Sequence, residues 1–131
     1  MRLLFVTFIF IINLFATQSD SVYDAEHNLL WQDSFSNALN KMSFKRALSY
    51  CDTLKQQSIN KWRLPNNNEF KLIIDNSRIP TIKSSFHYSG VGCYWSYSHG
   101  QIGSVDFKEG IINNTQTNNE QECYVRCIHD E

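Results

Sequence analysis

The side chains with chemistry to offer are four cysteines, four histidines and one dense polar stretch, "KWRLPNNNEF", Lys61 to Phe70. Thiols can ligate zinc, act as nucleophiles or form bridges. Cys51, Cys93, Cys123 and Cys127 contain no C-x-x-C pair, which argues against zinc. An even count in a small exported chain reads instead as two disulfides, leaving no free thiolate. His27, His87, His99 and His129 have no metal-ligand spacing and read as scattered surface histidines. A G-x-S-x-G nucleophile elbow is missing. The expectation is a domain with no catalytic set, no metal and no cofactor.

The elements around these residues follow from periodicity and turn chemistry. "SVYDAEHNLLWQD", Ser21 to Asp33, reads as a hairpin. In Ser43 to Gln57, Ser43 caps a helix whose apolar stripe is Phe44, Ala47, Leu48, Cys51 and Leu54. Trp62 and Leu64 alternate with Lys61 and Arg63 as a short strand, and Pro65 keeps Leu64 out of the helical region. Asn66 caps a second helix and Glu69 completes a capping box, with Phe70, Ile73 and Ile74 facing inward. Arg63 and Glu69 are placed to form a structural ion pair. The polar stretch therefore reads as a strand-to-helix joint and a poor candidate for an active site; Asn67 and Asn68 have no role in that reading.

The second half reads as strands. In "CYWSYS", Cys93, Trp95 and Tyr97 share one face, expected to be core. Tyr94 falls on the other face and, with Tyr88, is expected to be exposed and able to stack on a ligand. "SVDFKEGII" is a hairpin turning at Gly110. "ECYVRCI" is expected to be one strand, Cys123 to Ile128. Cysteines four apart on a strand lie about 13 Å apart, and a bridge needs about 7 Å or less. Cys123 and Cys127 therefore do not pair, which leaves two pairings open. Asn-rich "INNTQTNNEQE", Ile112 to Glu122, is expected to be a solvated loop. Helices followed by a run of strands make an α+β domain.

The chain has 131 residues, enough for one domain. Arg2 and the apolar run Leu3 to Ala16 read as a signal peptide, too short to span a bilayer comfortably. The division expected is residues 1–19 as leader and 20–131 as a single domain, exported to the periplasm or beyond and touching membrane only during export. Net charge is −1, with no charge run, which argues against nucleic acid.

Six segments in order, "LLWQD", "ALSYC", "WRLPNNNEF", "CYWSYS", "SVDFKEG" and "CYVRCI", resemble the family named after the C-terminal domain of Lcl, a bacterial collagen-like adhesin. The resemblance runs from Val22 to Ile128. It implies a C-type-lectin-like fold of two helices and short antiparallel strands. It also implies the bridges Cys51–Cys127 and Cys93–Cys123, and marks Trp62, Arg63, Pro65, Asn66, Glu69 and Trp95 as family positions. Calcium-binding lectins of that fold carry Glu-Pro-Asn or Gln-Pro-Asp, where this chain has Leu64-Pro65-Asn66; calcium-dependent sugar binding is not implied. Formylglycine-generating enzymes share a similar "RLP…E" segment, but their chemistry needs reactive thiols. The function expected is a small binding module recognising a glycan or an envelope protein. Its loops Phe86 to Tyr94 and Ser98 to Gly103, with Tyr88, Tyr94 and His99, form the candidate surface. The alternatives are the formylglycine-type enzyme and a structural envelope component.

Overall fold

The computed structural model describes residues 20–114 and 120–131. The leader lies outside the described residues, as does the centre of the Asn-rich loop. Two sheets enclose the core. In the first, β1 (Ser21–Asp24), β2 (Leu29–Gln32), β9 (Ile128–Asp130) and β4 (Trp62–Arg63) lie side by side, all antiparallel. In the second the order is β3 (Lys41–Met42), β8 (Cys123–Tyr124), β5 (Cys93–Ser98), β6 (Gln101–Asp106) and β7 (Ile111–Asn113). The β5–β8 pair is parallel, a departure from the expected antiparallel set. Among the described residues three helices join them: α1 (Ser36–Leu39), α2 (Phe44–Thr53) and α3 (Asn67–Lys71).

The local signals explain most of these boundaries. The Ser43 side chain accepts from Arg46 N–H and starts α2, which buries Ala47 and Cys51. In α3 the Asn66 side chain accepts from Glu69 N–H while Glu69 accepts from Asn66 N–H, a complete capping box. Helix α3 is shorter than expected. It ends at Lys71, and Ile73 and Ile74 reach the core from the following turn, where Ile74 bridges Ile82. The α1 turn was not foreseen; only Ala38 and Leu39 are apolar in it, so no helical stripe announces it.

Strand β5 is buried on both faces at its centre. Tyr94 packs with Phe70, Val105 and Phe107, whereas Trp95 packs on the opposite side with Met42, Cys51 and Trp62. Tyr94 is 0% exposed, so the expectation that it presents its ring to a ligand is wrong. Its hydroxyl donates to Asn37 C=O and accepts from Gly90 N–H. The error on Tyr97 is the reverse. It alternates with Trp95 as a core residue should, yet β5 runs past the edge of the core, and Tyr97 is 37% exposed against Phe44.

The expected Cys123–Ile128 strand is broken. Pairing stops after Tyr124 and resumes at Ile128, because Val125 to Cys127 cross from the second sheet to the first. A straight strand could not serve both. Arg126, in the crossing, is fully buried. Its guanidinium donates to Gln32 C=O and Tyr88 C=O and lies 3.3 Å from the buried Asp33 carboxylate. The same carboxylate accepts from the His87 and Tyr88 backbone N–H groups. Around it, Asn37 donates to Gln32 Oε1 and to Val125 C=O, and Cys127 N–H donates to Gln32 Oε1.

The bridges are Cys51–Cys127 and Cys93–Cys123, with no free cysteine. The first ties α2 to the crossing segment over a separation of 76 residues; the second joins β5 to β8 over 30. In the chain-entropy account these closures contribute about 4.5 and about 3.6 kcal/mol respectively. Removing them as Ala pairs should therefore give unequal losses. In chemical denaturation Cys51→Ala/Cys127→Ala should lose about 1 kcal/mol more than Cys93→Ala/Cys123→Ala. The reverse order would show that packing around the second bridge outweighs loop length.

Candidate functional site

A cleft opens where the start of α3 meets the β5–β6 hairpin. The chain brings these parts together in four steps. Pro65 C=O accepts from Tyr97 N–H at 2.9 Å, which docks the joint onto the edge of β5. The capping box then fixes the direction of the first turn of α3, so that Asn66, Asn67 and Asn68 line the cleft. The β5–β6 turn is two residues, His99 and Gly100, with φ of 49° and 77°. Two positive φ values suit a right-twisted hairpin, and His is among the residues that tolerate that region. This places His99 at the tip. Finally Gly103, opposite Ser96, lies at the meeting of β5, β7 and α3. A Cβ there would come within 2.7 Å of both Asn113 O and Ser96 Oγ, so only glycine allows the approach.

The cleft walls are almost all amides and hydroxyls. Asn67 Nδ2 donates to Asn114 Oδ1 at 2.6 Å, and Ser96 Oγ donates to Asn67 Oδ1. Gln101 Nε2 donates to Asn114 C=O at 3.1 Å. These bonds hold one side rigid. On the other side Asn68, Ser98 and His99 carry side chains with no hydrogen-bond partner among the described residues. Their donors and acceptors are open to an incoming ligand.

One charged group stands next to the cleft. Arg63 forms a two-pronged pair with Glu69 (2.8 and 2.7 Å) and a second with Asp130 (2.9 and 2.8 Å). Asp130 and Glu69 together hold the guanidinium above its ordinary range, and Arg63 holds the Asp130 carboxyl below its own. Arg63 thus ties β4, α3 and β9 and has no free edge for an anion.

The expected site residues divide. Trp62, Arg63, Pro65, Asn66 and Glu69 build the joint that forms the cleft, and His99 stands at its mouth. Trp95 is buried beneath it, donating to Met42 C=O. Tyr88 is half-buried against Phe35, and Phe86 is buried beside Trp31; with Tyr94 also buried, the Phe86–Tyr94 segment is not part of the cleft. Asn67, Asn68, Ser96, Tyr97 and Asn114 were missed as site residues. For Asn67 and Asn68 the signal was the surplus of asparagine in "PNNNEF", beyond what a cap requires; Ser96, Tyr97 and Asn114 lie outside that stretch and carried no such signal. Among the described residues no group of His, Cys, Asp and Glu could hold a metal ion.

Fold and cleft define a small α+β domain, stapled by two disulfides, with a polar cleft at a helix start. The model of the Lcl C-terminal domain family matches residues 20–129, and the chain belongs to that family. No curated protein and no solved structure matches it.

The Arg63 pairs make a pH prediction. Asp130 is depressed in the folded state, so its contribution is complete above the ordinary carboxylate value of 3.8 and is lost as pH falls through the folded value. The stability difference between the natural protein and Arg63→Gln should shrink as pH falls from about 6 to about 2. Urea unfolding at stepped pH measures it; a difference that stays constant would show that Asp130 does not draw on Arg63.

Proposed function

We propose that the domain is an exported binding module that recognises a glycan through the Asn66–Asn68 and Ser96–Gly103 cleft, in a C-type-lectin-like manner. The observation that carries this reading is the cleft itself: open amide and hydroxyl groups beside an exposed tyrosine ring. Sugars present hydroxyls in a fixed array and an apolar face, and they are held by amide side chains with an aromatic platform. Tyr97 supplies that platform. Asn68 and Ser98 supply hydrogen bonds without first breaking any of their own.

Export is supported by the two disulfides, which persist in oxidising compartments. It is compatible with the described residues, in which no helix is long and apolar enough to cross a membrane. The formylglycine-type alternative has no thiolate to work with when all four cysteines are bridged. An envelope protein bearing a glycan fits the same cleft; a purely structural role gives no use to its unpartnered side chains.

Screening on a glycan array, followed by titration of the best binder, tests the reading. Tyr97→Ala should weaken binding about tenfold or more, the loss expected of an aromatic platform. Asn68→Ala should weaken it several-fold. An empty array, or a binder unaffected by both substitutions, would contradict it.

A further inference from the structure

We infer that the ligand is an oligosaccharide of N-acylated amino sugars, neutral rather than anionic, lying across two connected compartments. The inference rests on the glycan reading and narrows it. The polar cleft, of about 380 Å³, does not end at Tyr97. A second groove of about 680 Å³ adjoins it, and Asn66, Tyr97, Ser98 and His99 border both. The groove differs in character. Its open apolar surface comes from Leu48, 36% exposed on the outer face of α2, and from the Tyr97 ring, with the nearly buried Trp62 and Leu64 beneath. A polar compartment and an apolar one, joined through a tyrosine, call for a ligand that alternates hydroxyls with small apolar groups along its length. The acetamido methyl of an amino sugar is such a group. A plain polyhydroxylated chain would leave the apolar wall without a partner.

Charge sets the second half of the inference. Sulfated and uronic-acid glycans are bound by free arginine and lysine. Among the described residues that border the two compartments, Arg63 alone is a permanent cation, and two carboxylates occupy it. Asp52, exposed at the groove margin, has no partner among the described residues. A polyanion entering here would meet an unpaired carboxylate and no available counter-charge. A neutral chain meets no such barrier.

Calorimetric titration of the oxidised protein with three tetrasaccharides tests this. Chitotetraose carries acetamido groups, cellotetraose has the same backbone with hydroxyls in their place, and a heparin tetrasaccharide is polyanionic. Chitotetraose should bind at least about tenfold more tightly than either of the others. Leu48→Gln should reduce the chitotetraose preference over cellotetraose, and Asp52→Lys should raise heparin affinity without raising that of chitotetraose. Leu48 and Asp52 both lie on the exposed side of α2, so the two variants give independent checks should one fold poorly. Equal affinity for chitotetraose and cellotetraose would overturn the acetamido assignment, and tightest binding to heparin would overturn the charge assignment; both leave the glycan reading standing. Binding to none of the three at millimolar concentration, together with an empty glycan array, would remove the glycan reading as well.

Discussion

Everything in this fold hangs on how the chain gets from one sheet to the other near its C-terminus. Val125, Arg126 and Cys127 pass through the interior between β8 and β9, where backbone polar groups have no water to turn to. Leaving one such group unpaired costs about 1–3 kcal/mol. The crossing is made possible by three polar anchors in and between β2 and α1. Gln32, Asp33 and Asn37 are each essentially fully buried, and each is bonded to the crossing segment or to its arginine. A buried guanidinium is expensive unless paired, and a buried carboxylate likewise. Here each answers the other, and the guanidinium's two terminal nitrogens also bond to backbone carbonyls, while its Nε has no hydrogen-bond partner among the described residues. The arginine also lies over the Phe86 and Tyr94 rings, 4.8 and 5.7 Å from their centroids.

The Cys51–Cys127 bridge sits at the end of the same crossing and fastens it to α2. Covalent and polar restraints therefore converge on one strip of chain. Both sheets are referenced to that strip, and so is the cleft, whose parts come from each. The α3 joint follows β4 of the first sheet; the β5–β6 hairpin belongs to the second. Among the described residues their backbone tie is the Pro65–Tyr97 hydrogen bond, joined by the Ser96–Asn67 side-chain bond. A rigid crossing lets these few bonds suffice, because the two sheets are already held in place elsewhere. Pre-formed geometry matters for weak polar ligands, since each side chain that must be ordered on binding subtracts from affinity.

How much was legible in the sequence depends on the range of each interaction. The capping box at Asn66 and Glu69 involves residues three apart and is visible as a pattern. So are the hairpins and the α2 stripe, except that Leu48, expected on the stripe, stands exposed. Arg126 is not, because its partners lie from 38 to 94 residues away and nothing nearby distinguishes it from a surface arginine. Tyr94 and Tyr97 show a second limit. Alternation correctly sorts residues onto the two faces of β5, but how far the covering layers extend along the strand is a tertiary fact. One tyrosine was expected outside and is central to the core; the other was expected inside and stands at the cleft. The "NNN" run marks a third case. Its first asparagine is explained by the cap, its second by bonds to Ser96 and Asn114, and its third by neither. A residue left over after local structure is accounted for is the best pointer to the cleft.

Native-state amide hydrogen exchange tests the crossing most directly. His87 and Tyr88 lie in a loop, and the His87 side chain is 57% exposed, so their amides would ordinarily exchange quickly. If the Asp33 carboxylate is locked by Arg126, those two amides and that of Cys127 should exchange only through global unfolding, as slowly as the amides of β5 and β6. They should lose that protection in Asp33→Asn while β5 and β6 keep theirs relative to the new global stability. Exchange of His87 and Tyr88 at the rate of the neighbouring Ser84 and Ser85 amides would contradict the account, for it would mean that the crossing opens without the rest of the fold.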